Sequence, residues 1–424
     1  MFSSRVDVKM SLDVNISEPD EFNCMELHSA IKNVADAMDI KEFSYHVDYL
    51  NGSGYIANVF RVIITENGSD KRVSVIVKTL VNTARKELFR ELHNREVEAY
   101  INVIETFREL QKDIIDAKRL VLPVCIYSST EKGNEVLIFE DLLVSGYEVN
   151  DTLDKNNKLE YSHVELIFSN LAKFHALSHV FEKNNSDLYN DIAKNFHDLL
   201  FQDSFLNKSK LRNYFPESFD ISLNVINDLD VKKKLETIKP KLLPLFRMYV
   251  EPRKMNVFCH GDFWINNILF KIKGETTELC FLDFQTMRFT NPVTDLIYFI
   301  YLCTDAQFRS EYFDKLIEVY YDSFESFLSL FNIEANLIYT REELVKDVEE
   351  TMVLGLLIAL VELRVVAVPQ EGVAKESQTD SEQDLSKITQ EDNSMFIARI
   401  NDVVTESIGN GVLDKLLNVA AAIE

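Results

Sequence analysis

The order of apolar and polar residues divides the chain into a first part rich in strand patterns and a second part rich in helix patterns. Alternating, β-branched runs predict strands near 43–49, 56–65, 72–80, 120–127 and 135–140. Apolar residues that recur every three or four positions predict helices over 20–39 and 85–107. The first part is therefore expected to form a small sheet with accompanying helix.

After residue 160 the helical period dominates, and only 257–285 is typical of a strand hairpin. The sequence predicts helices at 161–183, within 186–250, and at 293–303, 307–331, 341–367 and about 395–422. The polar segment 370–394 has few large apolar residues, so it is predicted to be a mobile surface loop. We expect two domains: residues 1–141, with an N-terminal helical extension, and residues 142–424.

Two short segments of the hairpin carry residues suited to phosphoryl transfer. VFCHGDFWINNILF (257–270) holds His260, Asp262 and Asn267 in the order H-x-D-x-x-x-x-N, and CFLDFQ (280–285) places Asp283 after an apolar run. In phosphoryl transfer one carboxylate receives the proton of the attacking hydroxyl, while an amide and a second carboxylate hold Mg²⁺ on the nucleotide phosphates. Asp262 is thus the candidate catalytic residue, and Asn267 and Asp283 are the candidate metal ligands.

The same chemistry requires a lysine for the α- and β-phosphates and a glutamate that pairs with it. Lys78 lies near the end of the third predicted strand, and Glu96 lies in the middle of the helix that follows. Glu91 and Glu98 are alternatives to Glu96, because a charged helix offers several carboxylates. The sequence predicts the pair and leaves its glutamate open.

Two further segments are candidates for nucleotide contacts. Gly52 and Gly54 precede a strand pattern and suggest a hairpin tip over the phosphates, although their spacing departs from G-x-G-x-x-G. VLIFEDL (136–142) ends a strand in a polar bend, where the backbone groups near Glu140 and Leu142 are predicted to hydrogen-bond to adenine. The five elements in this order predict an α+β, bilobal protein-kinase-like fold. It would have a small β-sheet N-lobe, a large, mainly helical C-lobe, and the nucleotide between them.

Three further residues lie in or near these motifs, and two of them are interpreted as support for the catalytic loop. His260 is expected to be a neutral, hydrogen-bonded group that shapes the loop. Asp295, at the start of a predicted helix, is expected to bind the loop backbone. Trp264 is either packed under the loop or part of a ring-binding pocket.

Composition excludes several classes of function. The 424 residues include 45 basic and 69 acidic ones, a formal net charge of −24, which disfavours binding to nucleic acids or anionic membranes. Five cysteines without a C-x-x-C pair predict free thiols. The longest helical apolar run, 351–361, is too short to span a bilayer, and the N-terminus lacks an apolar signal region. We expect a cytoplasmic protein without membrane insertion and without an obligatory protein partner.

The chain resembles the ecdysteroid kinase-like family, with its CHK kinase-like domain, which is related to choline and aminoglycoside phosphotransferases. The resemblance runs from about residue 40 to 365. It is most specific at LIFEDLLVSGY (137–147), LAKFHALSH (171–179), HGDFWINNILF (260–270) and FLDFQTMRFTNPVTDLIYFIY (281–301). The string E-V-E-A-Y, Glu96 to Tyr100, is similar to the helix motif of the family and favours Glu96 over its neighbours.

This resemblance implies phosphorylation of a small-molecule hydroxyl with ATP and Mg²⁺. By position, it makes Asp262 the catalytic carboxylate, Asn267 and Asp283 the metal ligands, Lys78 the phosphate lysine and Glu96 its partner. Gln285 stands where the related choline and aminoglycoside enzymes often have an acidic residue.

The expected acceptor is an apolar alcohol such as an ecdysteroid, and two alternatives remain. A choline- or aminoglycoside-type kinase would need an acidic or aromatic cage for a cationic acceptor, which the sequence does not locate. A catalytically inactive ligand-binding member is disfavoured because the candidate catalytic and metal residues are all retained. A protein-substrate kinase is disfavoured because a helix begins again about ten residues after Asp283.

Overall fold

The chain forms two compact units in the computed structural model, which describes residues 24–49, 57–80, 86–149, 159–209, 211–274, 276–367 and 392–423. The sheet unit comprises Met1–Asp151 and Ile268–Met287, and the helical unit comprises Thr152–Asn267 and Arg288–Glu424. The predicted α+β class, with a small sheet part and a large, mainly helical part, is confirmed. The predicted hairpin tip with Gly52 and Gly54, and residues 370–391 of the predicted loop, lie outside the described residues.

The sheet unit is built on a five-stranded antiparallel sheet with the strand order β1-β2-β3-β5-β4. These strands are β1 (Phe43–Tyr49), β2 (Ala57–Glu66), β3 (Arg72–Leu80), β4 (Cys125–Ser129) and β5 (Val136–Glu140). Alternate residues of β2 and β3, such as Val62 and Val77, are buried on one face because successive side chains of a strand point to opposite sides. Helix α1 (Cys24–Ala37) packs Ile31 and Val34 into the same core.

The helix predicted over 85–107 is observed as three consecutive helical segments. Helix α2 (Lys86–Glu98) continues into a π-helical turn (Ala99–Ile104) and then into α3 (Glu105–Leu110). A π-helical turn widens the helix by about one residue, and such turns occur often at functional sites. Here the turn contains the buried Tyr100, whose ring packs against Phe139 and Phe284.

A second sheet places residues 268–287 in the sheet unit, whereas the sequence-based division assigned them to the domain 142–424. Strand β8 (Ile268–Lys273) pairs with β6 (Glu148–Val149) on one side and with β9 (Thr276–Phe281) on the other. The buried residues Leu269 and Cys280, which are partners in the register, share a core with Leu142 and Tyr147. Pairing between distant strands thus decides which unit this hairpin joins.

In its described part the helical unit contains mainly helices and a short two-stranded sheet, β7 (Val257–Cys259) with β10 (Arg288–Thr290). Its helices are α4 (Tyr161–Asn184), α5 (Ser186–Ala193), α6 (Asp203–Ser209), α7 (Leu211–Val225), α8 (Leu229–Glu236), α9 (Leu242–Val250), α10 (Val293–Cys303), α11 (Ala306–Ser329) and α12 (Arg341–Ala367). Helix α4 packs on α11, and α10 packs on α12. The apolar run 351–361 forms the buried part of α12.

The prediction of one last helix at 395–422 is wrong. The segment forms two helices, α13 (Asp392–Gly409) and α14 (Val412–Ala422), both packed on α12. Between them Gly411 has a φ of 78°, a left-handed conformation that glycine adopts without strain and that interrupts a right-handed helix. Among the described residues no helix is long and apolar enough to cross a membrane. The described cysteines Cys125, Cys259, Cys280 and Cys303 are free thiols.

Candidate active site

In the sheet unit, Lys78 lies between two carboxylates. Its ammonium nitrogen is 2.7 Å from Oε2 of Glu96 and 2.8 Å from Oδ1 of Asp283. Glu96 is 1% exposed, whereas Glu98 is exposed, so the structure selects Glu96 among the candidate partners of Lys78. The lysine, the helix glutamate and the aspartate that the sequence singled out are therefore brought together.

Burial and charge act against each other in this cluster. Burial alone would lower the pKa of Lys78, but the two carboxylates outweigh burial and raise that pKa above its usual value. Lys78 is consequently held as a cation. An ammonium group held as a cation donates charge-assisted hydrogen bonds to carboxylate and phosphate oxygens alike.

The helix that carries Glu96 also holds the backbone after Asp283. Arg95 donates from Nη1 to the carbonyl oxygen of Met287 at 2.7 Å, and the ring of Tyr100 contacts Phe284 edge-on. Phe284 is fully buried. The helix that carries Glu96 and the segment 283–287 are thus joined by a hydrogen bond and by ring packing.

Asp283 has an unusual backbone conformation. Its φ is 66°, in the left-handed region, which few residues other than glycine, asparagine and aspartate adopt. Gln285 donates from Nε2 to Oδ2 of Asp283 at 3.3 Å, so the side chain at 285 positions the aspartate and adds no second negative charge. Backbone strain of this kind concentrates at functional sites, and here it aims the carboxylate at Lys78.

In the helical unit, Asp262 is held by two side chains. Tyr298 donates from its hydroxyl to Oδ1 at 3.0 Å, and Asn267 donates from Nδ2 to Oδ2 at 3.2 Å and to the backbone oxygen of Asp262 at 2.8 Å. Because Asn267 uses its nitrogen for these bonds, its amide oxygen is the atom left to bind a cation. Carboxylate and amide oxygens such as those of Asp283 and Asn267 are ligands that Mg²⁺ accepts.

The loop around Asp262 is fixed by a buried carboxylate, as predicted for Asp295. Oδ2 of Asp295 accepts the backbone N–H of His260 at 2.6 Å, and Oδ1 accepts that of Gly261 at 3.0 Å. Burial would raise the pKa of Asp295, but its hydrogen bond with His175 and other nearby groups lower it below its usual value, so the carboxylate stays charged. His260 is fully buried, which fits a structural role.

A buried arginine braces the same loop from its other side. Arg288 donates from Nη2 to the carbonyl oxygen of Gly261 at 3.0 Å and from Nη1 to Asp198 at 3.0 Å. Gly261 has a φ of 86°, which a residue with a Cβ would adopt only with strain. Asp295 and Arg288 therefore hold the two peptide groups on either side of the Gly261 Cα.

The segment predicted to bind adenine is anchored by its side chains. Asp141 accepts hydrogen bonds from Arg61 at 2.6 Å and from Ser74 at 2.6 Å, and Oε1 of Glu140 accepts the backbone N–H of Val124 at 3.1 Å. The carbonyl oxygen of Leu142 is used by Tyr147, whereas its N–H has no hydrogen bond to any residue in the described part of the chain. The Leu142 N–H is the donor that the prediction requires.

Some residues of the site were not identified from the sequence. Tyr298 follows Asp295 by three positions and so lies on the same side of α10, a spacing that could have indicated it. Arg288 and Arg95 carry no local signal, because their partners are distant in the chain. Trp264 has a half-buried ring and a buried indole nitrogen without a hydrogen-bond partner among the described residues, so both interpretations of its role stay open.

A family model and several solved structures are similar to this chain. The family model described as the ecdysteroid kinase-like family matches residues 51–333. No similar protein was found among curated proteins. Similar solved structures include an ethanolamine kinase of Plasmodium vivax, with 13% identity, a TM-score of 0.42, and coverage of 92% of this chain and 89% of that chain. A microcompartment-associated aminopropanol kinase shows 12% identity, a TM-score of 0.39 and coverage of 92% and 98%. A glucosamine kinase shows 11% identity, a TM-score of 0.36 and coverage of 94% and 86%.

These identities and TM-scores are too low to support an inference about activity. The family match carries the conclusion instead, because it spans well over half of the chain and contains Lys78, Glu96, Asp262, Asn267 and Asp283. The chain belongs to the ecdysteroid kinase-like family.

Proposed function

We propose that this protein is an ATP-dependent kinase that phosphorylates a hydroxyl group of a small apolar alcohol, such as an ecdysteroid or a related metabolite. The observation that carries the proposal is the cluster of Lys78 with Glu96 and Asp283, 2.7 and 2.8 Å away. In protein kinases, phosphoryl transfer requires a lysine paired with a helix glutamate and an aspartate that binds Mg²⁺, and this cluster supplies residues of those types. Asp262 supplies the base that takes the proton of the acceptor hydroxyl.

In this proposal each residue has one task. Lys78 binds the α- and β-phosphates, Glu96 holds Lys78 in place, and Asp283 and Asn267 supply oxygen ligands to Mg²⁺. Mg²⁺ neutralises the charge that develops on the phosphates. The backbone near Glu140 and Leu142 binds adenine, with the N–H of Leu142 as the donor. Gly52 and Gly54, which lie outside the described residues, are proposed to cover the phosphates.

Asp262 acts on the acceptor. Its carboxylate takes the proton of the acceptor hydroxyl while the hydroxyl oxygen forms a bond to the γ-phosphorus, and the bond between that phosphorus and the β–γ bridging oxygen breaks to release ADP. Tyr298 and Asn267 each hold one oxygen of Asp262, so the carboxylate keeps one orientation during the transfer. A fixed base of this kind contributes about 10²–10⁴-fold to the rate.

The acceptor class is assigned from the family and from the net charge of the chain. The family is named for ecdysteroids, which are neutral sterols with hydroxyl groups. The net charge of −24 also disfavours an anionic acceptor, although it does not by itself exclude a cation. Choline- and aminoglycoside-type acceptors are therefore the alternative that the experiment must include, together with a member that binds a ligand without turnover.

The test is mass spectrometry of products after incubation with ATP and Mg²⁺. The panel contains 20-hydroxyecdysone-type sterols and neutral plant alcohols, with choline, ethanolamine and an aminoglycoside as the cationic arm. We expect phosphorylated sterol or neutral alcohol, and Asp262→Asn should reduce turnover by at least about 10²-fold while nucleotide binding and thermal stability are retained. Product only from a cationic acceptor would favour the alternative, and near-normal turnover by a folded Asp262→Asn variant would contradict the role of Asp262.

A further inference from the structure

A second carboxyl group of the helical unit, that of Glu362, is close enough to Asp262 to be affected by its charge. Glu362, near the end of α12, accepts a hydrogen bond at 3.0 Å from the hydroxyl of Tyr214, which lies on α7. Asp262 itself accepts a hydrogen bond at 3.0 Å from the hydroxyl of Tyr298 on α10. Helix α12 packs against both α7 and α10. Two tyrosine–carboxyl pairs therefore come together from four separate segments of the chain.

The electrostatic environment shows that the two pairs influence each other. Burial raises the pKa of Glu362 to about 7; the hydrogen bond from Tyr214 opposes this shift, and the charge of Asp262 adds to it. Burial likewise raises the pKa of Tyr298, and both Asp262 and Glu362 raise it further. None of these influences on Glu362, within the part of the chain that the structure describes, comes from a basic side chain.

A purely structural role explains this arrangement poorly. A glutamine at 362 would also link α12 to α7 through Tyr214, without the free energy that a buried carboxylate costs. A carboxyl group has an advantage over a neutral amide where it binds a hydrogen-bond donor, because hydrogen bonds to an ionised acceptor are about twice as strong. Glu362 lies outside residues 51–333, the part of the chain that the family model matches.

We propose that Glu362, positioned by Tyr214, binds a second hydroxyl group of the acceptor and so selects polyhydroxylated apolar alcohols. The proposal rests on the proposed function, since it assigns the acceptor side of the reaction at Asp262. The second hydroxyl donates to the Glu362 carboxyl while the first donates its proton to Asp262. An analogue without the second hydroxyl leaves only the Tyr214 hydrogen bond on this half-buried carboxyl, and sites built to bind a substrate hydroxyl reject analogues that lack it.

The experiment uses the full chain, ATP and Mg²⁺, with three variants. Glu362→Gln removes the charge and keeps the shape, Tyr214→Phe removes the positioning hydroxyl, and Glu349→Gln on the exposed side of α12 is the matched control. Each neutral sterol of the panel that gives product is compared with its analogue lacking one other hydroxyl. We expect Glu362→Gln to raise the acceptor KM about tenfold, which corresponds to one charge-assisted hydrogen bond, with kcat and the ATP KM within about twofold of wild type.

The preference for the polyhydroxylated acceptor should fall by a similar factor in Glu362→Gln, fall less in Tyr214→Phe, and stay unchanged in Glu349→Gln. If wild type phosphorylates sterols and Glu362→Gln leaves the acceptor KM unchanged, the inference fails while the proposed function stands. A parallel loss with every acceptor, accompanied by lower thermal stability, would show a structural role and also overturn it. If only choline or ethanolamine gives product, or if nothing in the panel does, the proposed function fails and this inference fails with it.

Discussion

The close contact between α10 and α12 allows a sharp test of the helical unit. At Gly355, in the middle of α12, an added Cβ would lie 2.4 Å from both Cδ2 and Cε2 of Tyr301 on α10. Real Cβ atoms essentially never approach a carbon atom so closely. Tyr301 is 2% exposed, and the guanidinium of Arg309 lies 4.6 Å from the centre of its ring, so the ring has little room to move. Gly355→Ala should therefore separate the two helices.

The magnitude follows from two opposing effects. Overpacking a buried contact costs about 1–3 kcal/mol. Replacing a glycine by alanine within a helix contributes up to about 1 kcal/mol of stability. Because the clash involves ring atoms that are themselves packed, we expect a value near the upper end of the first range and a net loss of about 2 kcal/mol. Since α10 carries Tyr298, we also expect kcat to fall while the ATP KM changes little.

Trp264, the only tryptophan of the chain, lies in the helical unit, so its fluorescence during urea denaturation reports on that unit. Gly409→Ala is the matched control: this glycine also belongs to a helix, but nothing lies within 4 Å of its added Cβ. The control should be as stable as wild type or more stable. A Gly355→Ala variant as stable as wild type, or an equal loss in both variants, would refute the reasoning.

Three other predictions concern charged groups. Asp283→Ala should weaken ATP binding in Mg²⁺ but not in EDTA, measured by calorimetry, and an equal loss in both solutions would show that Asp283 is not a metal ligand. Lys78→Met should raise the ATP KM more than Glu96→Gln does, because Lys78 keeps Asp283 as a partner in the second variant; the reverse order would contradict the assigned roles. Because burial raises the pKa of Glu362 from 4.5 to about 7, the folded state binds more protons than the unfolded state between these pH values. The urea midpoint of wild type should therefore fall as the pH rises through this window, and the midpoint of Glu362→Gln should fall less. An equal change in the two midpoints between pH 5 and pH 8 would contradict the raised pKa.

Local pattern was sufficient for most elements of this fold. The alternation of apolar residues predicted β1 and β3 with the bounds 43–49 and 72–80, and helical periodicity predicted 293–303 and 341–367 as observed. The spacing H-x-D-x-x-x-x-N and the segment D-F-Q identified Asp262, Asn267 and Asp283 as candidates. These features depend on neighbours in the chain, so the sequence shows them directly.

Local pattern was insufficient where partners are distant. The bond between Lys78 and Asp283 joins residues 205 positions apart, and the choice of Glu96 over Glu98 depends on how α2 is rotated toward the sheet. Neither dependence is visible in a window of ten or twenty residues. The helix offered several carboxylates and the family resemblance favoured Glu96, but only packing shows that Glu96 is the buried partner of Lys78.

The same distinction between local pattern and distant partners applies to the remaining features. By itself the sequence determined the periodic elements, the candidate catalytic motif and the family resemblance, since each depends on residues that are close together in the chain. Only the tertiary structure placed the hairpin 268–287 in the sheet unit, put Tyr298 on Asp262, paired Tyr214 with Glu362, and used Arg288 to hold the Gly261 peptide. Each of these contacts brings together segments separated by tens to more than a hundred residues, and their energies depend on burial, which no local pattern specifies.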